Sequence, residues 1–297
     1  MFVGYCRYVG SIEKVLNIYK WTTFAFCIPC FVGAIVAIIS DDRLLILGIN
    51  ANVVAMQAAY GVLIFINDLI RKDKSERRVY EWLVIAFMLL TAFLTGSRKG
   101  LLIPVIGVYV LICSRKPRRF FWYTLLIAAV SAIVLTLLLK VDALYRLIGY
   151  RVEPLLQYIR GESFEEASME SRLDYIRLGW EETKRSPVFG RGLDCFRTLR
   201  YAYETYSHCN FIEILFSTGW VGLVLYYIPY LNALRWAPQA LRRNRTQGAM
   251  MLSLLIPYIV CESFSVTYFS RVSLIIPAMV MCVLRKDGWQ NEPETAS

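Results

Sequence analysis

Five polar residues have types and neighbours that suit proton transfer and anion binding. His208 is the only histidine in the chain, and an imidazole with an ordinary pKa of about 6.5 can accept a proton near neutrality. Arg98 and Arg172 each carry a guanidinium, which stays charged and can bind two phosphate oxygens at once. Asn210 and Glu213 are three residues apart and therefore share one face of a helix that begins after His208. The sequence thus offers a base, two anion-binding cations and two polar residues to orient them.

Each of these residues also has a structural interpretation. His208 can be a polar residue at a helix end whose imidazole is bonded to a neighbour. Most arginines between positions 172 and 191 are expected to form ion pairs with the glutamates of the same segment, whereas Arg98 has no carboxylate close in sequence. Glu213 lies near a membrane boundary, where an outer arginine would suffice as a structural partner. Glu262 lies deeper in its segment, so whether its carboxylate has a structural or a functional role is likewise open.

The composition places these residues in a membrane protein. The chain has 297 residues, of which 57% are hydrophobic and 19% charged. Soluble domains average about 45–50% apolar and about 25% charged, and the apolar runs here recur along the whole chain. A soluble enzyme, a disordered chain and a disulfide-stapled secreted domain are therefore excluded. The net charge of +10 reflects basic loops between apolar runs, so nucleic acid is not an expected partner.

Apolar segments of membrane-spanning length predict an all-α, polytopic protein with about eight transmembrane helices. The eight segments are 21–40, 48–67, 80–95, 99–114, 120–140, 209–233, 248–267 and 271–284. They predict a cytoplasmic segment at 1–20, five helices within 21–141, a long extracytoplasmic loop at 142–207, three helices within 208–285 and a cytoplasmic tail at 286–297.

The distribution of Lys and Arg predicts the orientation. The segments assigned to the inner side are rich in Lys and Arg, while the short outer loops hold just Arg43, Arg98, Lys99 and Arg271. Basic residues concentrate in cytoplasmic loops, so both termini are expected to be cytoplasmic.

The loop 142–207 exceeds the usual loop length, and long ordered loops are usually functional. Residues Glu170–Arg185 predict an amphipathic helix with Leu173, Ile176 and Trp180 on its apolar stripe. Cys195 and Cys209 both fall on the predicted outer side, which would permit a disulfide bridge. Asp41-Asp42 would suit a divalent cation, but two adjacent aspartates are more typical of a solvated helix end. We therefore expect neither a metal site nor a cofactor.

Four stretches of the sequence resemble the O-antigen polymerase and O-antigen ligase family of bacterial envelope glycosyltransferases. They are Gly48-Ile49-Asn50-Ala51-Asn52, Leu94-Thr95-Gly96-Ser97-Arg98-Lys99-Gly100, Glu170-Ser171-Arg172 with Pro187-Val188-Phe189-Gly190-Arg191-Gly192, and His208-Cys209-Asn210-Phe211-Ile212-Glu213 with Gly219-Trp220-Val221-Gly222. The order and spacing of these stretches, together with the long outer loop, carry the resemblance over residues 15–285.

The last stretch distinguishes two branches of that family. Its ligases show a His followed by Asn, Ser or Gln, and the spacing to Gly219 and Gly222 fits them. Its repeat-unit polymerases often show His-Asn-Asn-aromatic-aliphatic-Glu, which Asn210, Phe211 and Glu213 match. Cys209 fills the second position here, and this departure favours a polymerase.

The resemblance implies a GT-C-like inner-membrane enzyme of bacteria that transfers a sugar chain from an undecaprenyl-pyrophosphate carrier to a hydroxyl on the outer face. It assigns His208 as the base, Arg98 and Arg172 as pyrophosphate contacts, and Asn210 with Glu213 as residues that orient the histidine or the sugar. A flippase and a chain-length regulator of the same pathway are expected partners, alongside membrane lipid. The product would be a capsule, an O-antigen or an exopolysaccharide.

Two alternatives remain open at this point. A ligase of the same family would move a finished glycan onto a different acceptor once. A transporter of lipid-linked sugars or a non-catalytic assembly subunit is the alternative outside enzymes, although a transporter predicts polar residues through several mid-membrane helices. Family members usually carry more helices before the first span, so we expect this chain to be a compact variant or to lack those helices.

Overall fold

The computed structural model describes residues 12–40, 45–160, 167–202, 205–270 and 273–284. Over this part of the chain the protein is predominantly α-helical, as the sequence predicts. The helices in chain order are α1 (Ile12–Ile39), α2 (Ala51–Arg71), α3 (Val79–Leu94), α4 (Arg98–Arg115), α5 (Phe120–Lys140), α6 (Asp142–Leu144), α7 (Tyr150–Arg160), α8 (Ala167–Thr183), α9 (Asn210–Arg243), α10 (Arg245–Glu262) and α11 (Ile275–Leu284). Short 3₁₀ turns lie at Lys74–Glu76, Pro117–Arg119 and Cys195–Thr198, and a π-helical turn at Tyr145–Gly149 joins α6 to α7.

A short hairpin before α2 was not predicted. Strand β1 (Leu45–Ile46) pairs antiparallel with β2 (Ile49–Asn50). The two residues between them, Leu47 and Gly48, have φ of 52° and 76°, as a two-residue hairpin turn requires. The Asn50 side chain then accepts from the Asn52 amide at 2.9 Å and begins α2.

Each predicted apolar segment falls on a helix, namely α1–α5 and α9–α11. Four described segments are long and apolar enough to cross a membrane: Ile12–Ile39, Ala51–Arg71, Pro117–Lys140 and Asn210–Arg243. Helices α3 and α11 are apolar but shorter. The structure is therefore that of an all-α membrane protein, and the crossing of all eight segments stays a prediction.

Two helices extend beyond their predicted bounds by nine or ten residues. Helix α1 begins at Ile12 rather than at 21, and α9 continues to Arg243 rather than ending at 233. The extension of α9 keeps Ala233, Ala237 and Ala240 buried on one side. It is therefore an amphipathic helical extension that an apolar-run criterion does not detect.

Helix α2 forms the centre of the bundle. It is apolar on nearly every face, and most of its residues from Ala51 to Leu69 are buried, which is typical of a helix surrounded by others. Its Leu63 shares a core with Ile103 of α4 and with Leu254 and Tyr258 of α10. Helix α5 is the opposite case, since Leu138 is its one buried residue. Its apolar surface faces outward, as a lipid-facing helix requires.

Ion pairs and polar contacts hold the bundle together at the end away from His208. Lys20 of α1 pairs with Asp68 of α2, and Arg71 of α2 pairs with Glu13 of α1 at 2.6 Å. Lys72 pairs with the buried Glu81 of α3 at 2.6 Å. Because these contacts join neighbouring helices, they fix the helix ends that the Lys and Arg distribution assigns to the inner side.

Helix α8 confirms a helix within the long loop but corrects its apolar stripe. Trp180 is 47% exposed, whereas Tyr175 and Leu178 pack against the buried Phe196, Ala202 and Phe216. Gly179 and Thr183 are buried on the same side. The packed face is therefore offset from the predicted one, because contact with α9 and the 195–198 turn decides which side is covered.

The bridge between Cys195 and Cys209 that their predicted location would permit is not formed. Both cysteines are free in the structure. Cys209 is buried at the start of α9, and Cys195 is half-buried beside Phe196. Both thiols therefore contribute to packing.

Candidate functional site

His208 lies in the turn that leads into α9, just before the helix begins at Asn210. Its backbone has a φ of 57°, the left-handed region that non-glycine residues adopt at a cost of about 1–2 kcal/mol. Its ring lies 4.4 Å from the ring of Tyr206 and 6.0 Å from that of Tyr175 in α8, stacked on the latter. The two tyrosines hold the half-buried imidazole between the long loop and the bundle.

Glu213 fixes this turn from one helical turn further along α9. The carboxylate is 2% exposed, and its Oε2 accepts from the backbone amide of Ser207 at 2.8 Å. The Ser207 hydroxyl in turn donates to the carbonyl of Cys209 at 2.9 Å. Glu213 therefore bonds the residue before the histidine and stabilises the strained conformation that presents the imidazole.

Asn210 uses both ends of its amide inside the protein. Its Nδ2 donates to the Tyr227 hydroxyl at 3.2 Å and to Glu262 Oε1 at 3.1 Å. Its Oδ1 accepts from the backbone amides of Thr267 at 2.9 Å and Tyr268 at 3.1 Å. The side chain is fully buried. It therefore ties the start of α9 to the segment that follows α10.

Glu262, whose partner the sequence did not reveal, completes this buried network at the end of α10. Its Oε1 accepts from the hydroxyls of Tyr226 at 3.1 Å and Thr267 at 2.8 Å, besides Asn210. Within the described residues its Oε2 has no hydrogen-bond partner, and the same holds for the buried hydroxyls of Tyr60 and Tyr258. Buried polar atoms of this kind are usually satisfied by internal water. The interior beneath His208 is thus polar.

Two cations act on the imidazole. Burial is the largest cause that lowers the pKa of His208 from 6.5 to about 4, and the charges of Arg172 in α8 and Lys99 in α4 lower it further. His208 is therefore neutral at pH 7, with a lone pair free on one ring nitrogen. The structure thus joins two predicted site residues, His208 and Arg172.

Sequence reasoning missed Lys99. It is the second residue of α4 and is 8% exposed, whereas the predicted Arg98 is the first residue and half-buried. Neighbouring residues on a helix point about 100° apart, and in α4 it is Lys99 that faces the interior. The sequence places both at the same outer helix end, and the phase of the helix cannot be read from two residues.

The turn before α4 joins the first two resemblance stretches. Gly96 has a φ of 66°, and Ser97 is bonded through its amide to the Thr95 hydroxyl at 3.1 Å. The Ser97 hydroxyl donates to Asn52 of α2 at 2.7 Å. The start of α4, with its two cations, is therefore held against the start of α2.

Helix α9 is interrupted at Gly219, whose φ and ψ are 64° and −169°. In an unbroken helix the carbonyls of Phe216 and Ser217 would accept from the amides of Trp220 and Val221. The interruption leaves both carbonyls and both amides without helical partners.

The turn at 187–192 supplies all four missing partners from the long loop. The bonds run from Arg191 N to Phe216 O (3.0 Å), Gly192 N to Ser217 O (2.8 Å), Trp220 N to Pro187 O (2.8 Å) and Val221 N to Val188 O (3.2 Å). Backbone hydrogen bonds thus join the long loop to α9 at its interruption. The resemblance stretches at 187–192 and 219–222 therefore form one structural unit.

Two glycines make this contact possible. A Cβ atom at Gly190 would overlap the backbone of Ser217 and Thr218, and one at Gly219 would overlap the backbone of Val188. Both glycines also have positive φ, 69° and 64°. No larger residue fits at either position without separating the loop from the helix.

The loop arginines near this contact form ion pairs, as predicted for most of them. Arg185 and Arg191 both pair with Glu182, at 3.1 and 2.9 Å. Arg177 pairs with Asp174 at 3.4 Å. These ion pairs lie within α8 and in the turn after it, whereas the charge of Arg172 acts on the histidine.

The described part of the chain contains no group of three or more His, Cys, Asp or Glu side chains that could hold a metal ion. Asp41 and Asp42, the carboxylates considered for a cation, lie outside the described residues.

Comparison with known families finds a match over residues 83–227, to the family model described as O-antigen ligase. None of the curated proteins compared with the chain matches it. The matched range includes all five predicted site residues and both halves of the contact between the 187–192 turn and α9. It leaves out the stretch Gly48–Asn52 and the helices α10 and α11.

Proposed function

We propose that this chain, which matches the O-antigen ligase family model over residues 83–227, is a member of that family and polymerises undecaprenyl-pyrophosphate-linked oligosaccharide repeat units. The reaction takes place on the outer face of the bacterial inner membrane and builds a capsule, O-antigen or exopolysaccharide. One observation carries the proposal: a neutral histidine, held in a strained turn at one end of the bundle, is exposed to the charges of the cations Arg172 and Lys99.

The proposed reaction is a single displacement at the anomeric carbon of the donor. His208 removes the proton from the acceptor hydroxyl as its oxygen forms the new bond to that carbon. The bond from the carbon to the pyrophosphate oxygen breaks, and undecaprenyl pyrophosphate leaves with the electron pair. Attack opposite the leaving group inverts the configuration. General base catalysis of this kind typically contributes about 10²–10⁴-fold.

The remaining site residues serve the leaving group and the base. Arg98 and Arg172 bind the pyrophosphate, whose negative charge grows as the bond breaks and which cations in a partly dehydrated site stabilise. Glu213 positions His208 through Ser207. Asn210 positions the start of α9, since all of its hydrogen bonds are internal.

Polymerase is favoured over ligase by the residues around Cys209. The buried Cys209 is integrated into the turn, because its carbonyl accepts from the Ser207 hydroxyl and from the Glu213 amide at 2.9 Å each. Asn210, Phe211 and Glu213 then follow the polymerase pattern. The description of the matched family supports the second candidate, a ligase that transfers a finished glycan once. A polymerase would receive its donor from a flippase and work with a chain-length regulator.

The test uses the protein in lipid nanodiscs with the undecaprenyl-pyrophosphate repeat unit of its own gene cluster, and the products are separated on a gel. A polymerase gives a ladder, and a ligase gives one added step when its acceptor is present. We expect His208→Asn and His208→Ala to lower the rate by about 10²–10⁴-fold. Asn tolerates the left-handed backbone, so it separates loss of the base from distortion of the turn. Full activity in a folded His208→Asn variant would rule out the proposed base.

A further inference from the structure

Lys99 is a buried cation with no anionic partner among the described residues. Its side chain is more than nine-tenths buried at the start of α4, and none of the ion pairs found in the described part of the chain includes it. The groups that act on its charge are the thiol of Cys261 and a second cation, Arg172. A buried charge is normally paired, so this arrangement needs an explanation.

The surroundings of Lys99 are those of an anion site. Helix α4 begins at Arg98, and the free amides and dipole of a helix N-terminus favour negative charge. Arg172 approaches from α8, and the neutral His208 lies within the field of both cations. The two like charges repel each other, and a bound anion would reduce that repulsion.

We propose that Lys99 and Arg172 together bind the diphosphate of the lipid-linked donor directly beside His208. The identity of the donor rests on the function proposed above. Lys99 of α4 is therefore an additional substrate-binding residue that acts together with Arg172 of α8. Its location also brings the leaving group close to the base that acts on the acceptor.

A diphosphate bound by Lys99 and Arg172 would make the pKa of His208 depend on whether the donor is present. Among the described residues, the charged and titratable groups around His208 are Arg172 and Tyr175 from α8, Lys99 from α4, Tyr206 from its own turn and Glu213 acting through Ser207. In the free protein the two cations keep the pKa of His208 low. A bound diphosphate offsets their charge, so the pKa rises towards the range in which a base is most effective at neutral pH. Proton abstraction is then favoured when the donor is present.

The single histidine permits a direct test. The protein is labelled at its histidine and incorporated in nanodiscs, and the imidazole is titrated by NMR with and without inorganic pyrophosphate. We expect pyrophosphate to raise the pKa of His208 from about 4 towards 6.5. The Lys99→Met variant should show a raised pKa without ligand and should bind pyrophosphate about tenfold or more weakly, because charge-assisted hydrogen bonds are lost. Lys99→Arg should keep both properties.

Lys116→Met is the matched control, since Lys116 is exposed just beyond the other end of α4. It should change neither the pKa of His208 nor the affinity. Thermal unfolding is recorded for every variant, and we expect Lys99→Met to be at least as stable as the parent because it removes an unpaired buried charge. If Lys99→Met does not fold, two tests remain. They are the pKa and affinity of the Lys99→Arg variant and the titration of His208 in the parent protein with pyrophosphate.

Unchanged affinity in Lys99→Met, or an unchanged pKa of His208 when pyrophosphate is added to the parent, would overturn the inference. A second series with undecaprenyl pyrophosphate in the nanodisc identifies the source of the diphosphate. A response to inorganic pyrophosphate without one to the lipid would overturn the assignment to the donor. The gel assay tests glycosyl transfer separately, so a ladder with no effect of Lys99→Met would reject this site and retain the enzyme.

Discussion

At the scale of single residues, the site depends on how one histidine is held. The left-handed backbone of His208 costs about 1–2 kcal/mol, and a turn of this kind persists where its surroundings determine it. Glu213 is the residue that does so, since its buried carboxylate accepts from the Ser207 amide. The family resemblance implies that Glu213 orients the histidine or the sugar, and in the structure its carboxylate bonds Ser207, the residue before the histidine.

Replacing Glu213 tests this role as a positioning residue. Glu213→Ala removes a hydrogen bond to a charged group, worth about 1.5–3 kcal/mol, so we expect kcat to fall about tenfold or more. Glu213→Gln keeps a carbonyl that can accept from Ser207 and should recover most of the activity. The NMR signal and pKa of His208 should change in the Ala variant and return in the Gln variant. Equal losses in both variants with an unchanged His208 signal would contradict a positioning role.

At the scale of elements, the decisive feature is the contact between the 187–192 turn and α9. The loop provides four backbone partners at the Gly219 interruption, so the position of α8 relative to His208 depends on it. Since α8 carries Arg172, the cation proposed to bind the pyrophosphate is linked to the proposed base through main-chain hydrogen bonds. This explains why glycines occur at both 190 and 219.

Gly219→Ala and Gly190→Ala should both destabilise the protein, and Gly48→Ala is the control. Gly48 has a φ of 76° but open space around an added Cβ, so its variant measures the backbone cost alone, about 1–2 kcal/mol. At positions 190 and 219 a backbone overlap adds to that cost. We expect a larger fall in the temperature of thermal unfolding for these two, with loss of transfer activity. A loss equal to that of Gly48→Ala would show that the close contact is unimportant.

The helices could be predicted from the sequence, whereas their contacts could not. Apolar runs locate α1–α5 and α9–α11 because burial in lipid or in a bundle requires them. The packed face of α8 was misassigned, since Gly179 permits close approach of Ile212 and no periodicity within α8 encodes that neighbour. Lys99 was missed for the same reason: its burial depends on how α4 rotates against α10. The break at Gly219 requires partners some thirty residues earlier in the chain.

At the scale of the whole molecule, the candidate site lies at one end of the helix bundle. The starts of α2, α4 and α9 and the end of α10 lie around His208 and Lys99. The ion pairs Lys20–Asp68 and Lys72–Glu81 lie at the other helix ends. Basic residues concentrate at that second end, which predicts that it is cytoplasmic. With that orientation, the proposed donor site would face the outer side of the membrane, where the proposed lipid-linked donor would be available.

Cysteine labelling across α5 tests this orientation. Leu193 is exposed in the long loop, and Arg118 lies in the turn before α5. With an impermeant maleimide on spheroplasts, we expect Leu193→Cys to react at once and Arg118→Cys to react after permeabilisation. The parent chain measures the background from its own cysteines. Because α5 and the start of the long loop separate the two positions, labelling of both on intact spheroplasts would show that α5 does not cross. The reverse pattern would place His208 on the cytoplasmic side, and a reaction at the outer face would then be excluded.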